Sequence, residues 1–257
     1  MVDGNMILSV AKAMELLQSM SQAGKPLLLK ELSSLCGYPK STVFGLLTTM
    51  RSYDIVTQTE DGKYTLGLKL FEYGCQVERS WDISLVARPY MEHLCSQTGA
   101  SAMISVCESG SVITLDQVEP RGGVHIVSDT GSRLPIYCTS QGKVFLSYMS
   151  RAGAEAMLRS QSMTQFTPHT ITDIPLLMQE VEQCRVNGYA LENGEYKIGL
   201  RSISAPIYTV EGNMRYTVGV IGMFRSVHSD EFHAATRQVC TTAAMISAAL
   251  GYRKKED

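Results

Sequence analysis

The 257-residue chain has no long apolar run. Stretches such as Ala243-Ala244-Met245-Ile246 stay far below the ~20 residues that a membrane-spanning helix needs. The N-terminus carries acidic Asp3 and no basic leader, which argues against a secretory signal, so a soluble cytoplasmic protein is expected. There is no CxxC pair: the seven cysteines (36, 75, 95, 107, 138, 184 and 240) are scattered, as expected of reduced, mostly buried thiols. The five histidines are dispersed too. His228 and His233 are spaced badly for one helix face, so neither a metal nor a cofactor is expected. Net charge is nearly absent, 23 basic against 25 acidic residues, which excludes binding nucleic acid by bulk charge but not through a local basic surface. With 44% hydrophobic and 19% charged residues, the composition is that of a globular protein rather than a disordered one.

What is present is an ordered set of small elements. In 7–20, Val10, Ala13, Met14 and Leu17 follow helical spacing and predict an amphipathic helix. A short helix over 29–36, burying Leu32, Leu35 and Cys36, leads into Gly37-Tyr38-Pro39. Glycine there suits a helix end and proline a helix start. A third helix over 39–52 places Val43, Leu46, Leu47 and Met50 on one face. Two short helices across such a turn form a helix-turn-helix. Residues 55–59 and 63–66 then alternate like strands around Glu60-Asp61-Gly62, a hairpin turn that would serve as a wing.

Residues 67–79 predict a connecting helix, with a hinge at Trp81-Asp82. Beyond it a helix (87–97) precedes strands at 101–108, 111–118, 124–128, 202–207 and 216–223. Helices are expected at 141–150, 152–160 and 176–187, with a last one opening at Ser229-Asp230-Glu231 and turning Phe232, Ala235, Val239, Ile246 and Leu250 to the sheet. The C-terminal half is thus α+β with a mainly antiparallel sheet. The expected division is 1–67, a linker at 68–84, and 85–257.

Six segments in order carry a family resemblance: Ser9-Val10-Ala11-Lys12-Ala13, Pro39-Lys40-Ser41-Thr42-Val43, Gly62-Lys63-Tyr64-Thr65-Leu66-Gly67, Ser140-Gln141-Gly142-Lys143, Gly188-Tyr189-Ala190 and Ser204-Ala205-Pro206-Ile207. Across 8–250 the chain resembles the IclR family of bacterial transcription regulators. The resemblance implies an N-terminal winged helix-turn-helix, a C-terminal effector-binding domain of GAF-like fold, and homodimers that pair into homotetramers on double-stranded operator DNA. It also implies a ligand-responsive regulator, here expected to repress a catabolic operon.

The residues themselves supply a local basic patch. Residues 24–51 hold Lys25, Lys30, Lys40 and Arg51 against Glu31 alone, enough for phosphate contact at one groove. Lys40, Ser41 and Thr42 open the third helix, where N–H groups and short donors meet phosphates or simply cap the helix. Phe44, Gly45 and Thr48 lie opposite the apolar face and are the candidates for base edges or thymine methyls. Lys63 belongs to the wing. Relatives usually carry arginine where this chain has Gly45, so their operator specificity does not carry over.

For the effector, the resemblance places Ser140 and Gln141 at a turn before a helix, Glu192 after Gly188-Tyr189-Ala190, Ser202 on a strand, and Gly219 and Ile221 where related regulators present serines. Glycine is expected to add room and isoleucine to remove a donor, giving a site for a carboxylate or sugar acid larger than glyoxylate. Glu192 would accept ligand hydroxyls. The plain alternatives are a solvated loop acid for Glu192 and a self-satisfied strand residue for Ser202.

An enzyme is not expected. Ser140-Gln141-Gly142-Lys143 spells SxxK, but Ser9-Val10-Ala11-Lys12 does too, and no SDN or KTG triplet accompanies either. Cys138 has no histidine in sequence relation to it, and Tyr137 stands where a P-loop would need its first glycine. No catalytic residue and no membrane partner is therefore expected. A module whose N-terminal part binds protein is the remaining alternative, which the wing around Lys63-Tyr64 disfavours.

Overall fold

The computed structural model describes residues 6–79, 82–122 and 130–253. The chain divides into two compact units, Met1–Trp81 and Asp82–Asp257. Trp81 and the strand expected at 124–128 lie outside the described residues.

The first unit runs α1 (Leu8–Ala23), α2 (Leu29–Cys36), α3 (Lys40–Ser52), β1 (Val56–Gln58), β2 (Tyr64–Leu66) and α4 (Leu68–Arg79). Gly24 and Gly37 end the first two helices in the left-handed conformation, φ 59° and 70°, which a side chain would resist. The Leu28 N–H donates to the Glu31 carboxylate at 2.6 Å, holding the start of α2. Leu16, Met20, Leu27, Leu32, Val43, Leu47, Met50, Val56 and Tyr64 form the core.

Three residues expected in that core are not there. Val10, Met14 and Leu35 are exposed. The buried residues of α1 are Leu16 and Met20, with Ala13, Leu17 and Ala23 packed beside them, while the first turn is exposed.

The second unit runs α5 (Asp82–Thr98), β3 (Ser101–Glu108), β4 (Ser111–Val118), β5 (Arg133–Pro135), α6 (Ser140–Ser147), α7 (Arg151–Arg159), α8 (Ile174–Asn187), β6 (Ala190–Asn193), β7 (Arg201–Tyr208), β8 (Met214–Gly222) and α9 (Asp230–Ala249). The strands form one antiparallel sheet in the order β5-β4-β3-β8-β7-β6. Alternation along the strands separates two chemistries. Ala102, Ile104, Ile203, Ala205, Val218 and Val220 face α5 and α9, which offer Ala87, Met91, Leu94, Phe232, Val239 and Ile246. The opposite face carries Ser101, Met103, Ser105, Ser202, Ser204 and Thr217, all buried. Over it lies α6, buried along its whole length between the sheet and α8.

Strands β5 and β6 were not expected from sequence. Each is only three or four residues long, at a sheet edge, too short to show alternation. Helix α5 begins earlier than the expected 87, at Asp82.

Candidate DNA interface and candidate effector site

In the first unit, α3 turns Val43, Leu47 and Met50 into the core and leaves Lys40, Ser41, Phe44, Gly45, Thr48 and Arg51 exposed, with Thr42 half-buried. Space around Gly45 is open: a Cβ there would meet nothing within 4 Å. The Thr48 hydroxyl donates to the Phe44 carbonyl at 2.8 Å, so its outward chemistry is a methyl group and lone pairs. Arg51 donates to the Gln58 side chain at 2.6 Å, and Gln58 donates to the Gly62 carbonyl at 3.0 Å. Gln58 thus ties the end of α3 to the wing turn, a role no sequence pattern announces. Lys63 sits on that wing and pairs with Asp61 at 2.6 Å; Lys30 is exposed on α2.

In the second unit the register of three strands brings the expected effector residues together. Glu192 lies opposite Ser202, which lies opposite Ile221, and Ser204 lies opposite Gly219. Ser140, at the start of α6, reaches down to this row. Its hydroxyl lies 2.9 Å from Ser202 Oγ and 2.8 Å from Ser204 Oγ. Ser202 donates to Glu192 Oε2 at 3.2 Å. The Gln141 amide donates to Met103 Sδ. Thr139 caps α6, accepting the Gly142 N–H at 3.2 Å.

One expectation and one alternative need correction. The room expected at Gly219 is absent, because a Cβ there would lie 2.3 Å from Ser204 Oγ and 2.4 Å from the Ile203 carbonyl. Ser204 occupies that space and joins the row of expected residues through Ser140, although sequence reading did not single it out. Its place two residues after Ser202 on one strand was the signal that could have found it. The alternative of a solvated loop acid for Glu192 does not hold. It is buried, its Oε1 accepts the backbone N–H groups of Glu195 (2.5 Å) and Tyr196 (3.2 Å), and its Oε2 takes Ser202.

Beside this row lies a buried ion pair. Lys143, 1% exposed, donates to Glu195 Oε1 at 2.6 Å and to the Leu191 carbonyl at 3.3 Å, with Glu180 of α8 at 3.5 Å. The Glu195 loop is pinned by Thr167, donating to the Gly194 carbonyl at 2.7 Å, and by Thr170, donating to the Glu195 carbonyl at 2.6 Å. Burial raises both Glu192 and Glu195 above the ordinary carboxylate range, against the pull of their hydrogen bonds and of Lys143 on Glu195. The same burial pushes the Cys138 thiol up to about 12, so it stays a neutral thiol rather than a nucleophile. Lys143 is committed to Glu195, and Ser140 to its fellow serines, so the SxxK spacing builds no nucleophile and base. Among the described residues there is no cluster of three metal-ligating side chains, and no helix is long and apolar enough to cross a membrane.

Comparison with known proteins agrees with this architecture. The helix-turn-helix model of the IclR family matches residues 9–60, and its model for the C-terminal part of IclR-type bacterial transcriptional regulators matches residues 75–248. The HTH-type transcriptional regulator XynR of Escherichia coli (strain K12) is 30% identical, over 96% of this chain and 98% of its own. The HTH-type transcriptional repressor AllR of the same strain is 27% identical, over 95% of this chain and 91% of its own. An IclR transcriptional regulator from Alicyclobacillus acidocaldarius superposes with a TM-score of 0.82 at 25% identity, over 96% of this chain and 100% of its own. These relatives are regulators of transcription rather than enzymes. The chain belongs to the IclR family and is a DNA-binding transcriptional regulator with a C-terminal effector-binding domain.

Proposed function

We propose that the chain represses a catabolic operon from the cytoplasm, releasing or tightening its grip on operator DNA when a small carboxylate or sugar acid binds in its C-terminal domain. The observation that carries the DNA half is the outward face of α3, where Lys40, Ser41, Phe44, Gly45, Thr48 and Arg51 are exposed behind a basic start. Lys30, Thr42 and Lys63 complete the proposed contact set. Lys40 meets phosphate, Phe44 and the Thr48 methyl meet base edges, and Lys63 follows from the wing. The carrying observation for the effector half is the buried row of Ser140, Ser202, Ser204 and Glu192, with Gln141, Gly219 and Ile221 beside it. The ligand carboxylate would sit at the start of α6, where backbone N–H groups favour an anion.

A gel shift with the chain's own upstream DNA tests this reading; a retarded band is expected, and none with any upstream fragment overturns it. In Lys40→Ala, binding should weaken about equally on all sequences, and the salt slope should fall by about one phosphate contact. An unchanged slope removes Lys40 from the set.

The protein is expected to be a homodimer or a dimer of dimers. Val10 and Met14 on α1 are 55% and 61% exposed, and Leu68 and Phe71 on α4 are 71% and 68% exposed. Apolar surface of that extent is covered most simply by a second copy in an isologous contact. Light scattering should give at least twice the monomer mass, and Met14→Glu with Phe71→Glu should halve it. A monomer that binds operator at full affinity would contradict the expectation.

A further inference from the structure

The serine row has a direction. An ionised carboxylate only accepts, so the Ser202 hydrogen is spent on Glu192 Oε2. Ser202 therefore accepts from Ser140, whose single hydrogen is spent in turn, and Ser204 must donate to Ser140. All three hydroxyl hydrogens run towards Glu192. The row then presents only lone pairs to a bound molecule. Placing a proton on Glu192 Oε2 reverses the row: Glu192 donates to Ser202, Ser202 to Ser140, and Ser140 to Ser204 at 2.8 Å in preference to the more distant Gln141 Oε1 at 3.4 Å, which frees the Ser204 hydrogen. Glu192 Oε1 keeps the Glu195 and Tyr196 N–H groups in both states, so the carboxyl need not move.

We propose that Glu192 sets the polarity of this row, so that an anionic effector binds together with one proton while an uncharged hydroxyl ligand binds without one. The proposal rests on the reading of this row as the effector site. It names Glu192 as a positioning residue, acting on the ligand through Ser202, Ser140 and Ser204. The groups facing Glu192 support the uptake. Glu195, on the loop after β6, repels its charge, and Cys138, ahead of α6, stays neutral. Lys143 of α6 is bound to Glu195, with Glu180 of α8 beside it, and so is spent before it can balance Glu192. On this face strand β7 offers the Ser202 and Ser204 hydroxyls, while its Arg201 donates to the Phe224 carbonyl at 2.5 Å. Burial already favours the protonated form. Ser101, Ser105 and Thr217, buried on the same sheet face without a side-chain hydrogen-bond partner, make that face hydroxyl-rich.

Calorimetry on the full chain in buffers of different ionisation enthalpy tests this with two probes, D-gluconate and D-glucitol, which share a carbon chain and differ in the carboxylate. Above the Glu192 titration gluconate should take up about one proton per molecule bound, and its affinity should fall there by up to about tenfold per pH unit. Glucitol should take up none and stay flat. In Glu192→Gln the amide donates to Ser202 permanently, so gluconate binding becomes independent of pH. Should that variant misfold, Ser202→Ala cuts the row while leaving Glu192 in place: the pH dependence is lost although the Glu192 carboxyl, followed by carbon NMR, still titrates. Gluconate binding without proton uptake overturns the proposal alone, as does glucitol binding with the same pH profile or binding of glucitol only. Binding of neither probe at any pH overturns the effector-site reading and the proposal with it.

Discussion

Lys143→Met is expected to cost the C-terminal unit about 3–5 kcal/mol, because it strands the Glu195 carboxylate in a place it tolerates only as half of a pair. The ammonium is 1% exposed and lies 2.6 Å from Glu195 Oε1, while Oε2 already has no partner. Urea unfolding followed by the circular dichroism of this unit reads the loss. Adding Glu195→Leu should recover much of it, since two apolar groups replace two buried charges. The sign with pH follows from the raised folded-state value of Glu195. A carboxyl raised on folding contributes stability that is complete below the ordinary carboxylate range and lost as pH rises through the folded value. Without Lys143 that value moves higher, so the deficit is greatest near neutrality and shrinks as the solution is acidified. A loss under about 1 kcal/mol at neutral pH would mean that Glu195 folds protonated and that the pair is not ionic.

Gly142→Ala should be as damaging for a different reason. A methyl group at 142 would lie 1.9 Å from the Ile136 carbonyl oxygen and 2.5 Å from its carbon. Both are backbone atoms, so no rotamer relieves the clash and α6 must lift. Overpacking of a core costs about 1–3 kcal/mol when side chains can adjust, and here they cannot, so the upper end of that range is expected in thermal unfolding. Lifting α6 also carries Ser140 away from Ser202 and Ser204, so effector response should fall even where the variant remains folded. An Ala variant with unchanged stability would show that the Ile136 segment gives way freely.

The N-terminal unit was the more legible half. Its helices are punctuated by Gly24, Gly37 and Pro39, whose backbone preferences act locally, and its wing by Asp61-Gly62. What misled there was reading apolar spacing as burial. Val10, Met14 and Leu35 have the right period but face outward, since a period says which residues share a face and not whether anything covers it. In the C-terminal unit, strands with eight or nine residues were legible by alternation and the short edge strands were not. The serine row was only half visible. Ser140 and Ser202 stand 62 residues apart in sequence, and only the strand register and the descent of α6 bring them to 2.9 Å. Space at a glycine was the hardest feature to foresee, because the absence of a side chain at 219 is the footprint of a neighbour's.

Strand β7 alternates between two layers, and that has a mechanical consequence. Ser202 and Ser204 belong to the polar layer under α6, while Ile203 and Ala205 belong to the apolar layer under α9. A pleated strand is stiff along its length, so tugging on its hydroxyls tilts the methyl groups between them. The apolar layer is close-packed and transmits such a tilt rather than absorbing it. It bears on α9, which packs against α5, and α5 starts at Asp82, the first residue of this unit after the N-terminal one. Within this unit the sheet is therefore two-faced: a pull on the buried hydroxyls of one layer is felt in the dry, close-packed layer that α9 and α5 cover on the other.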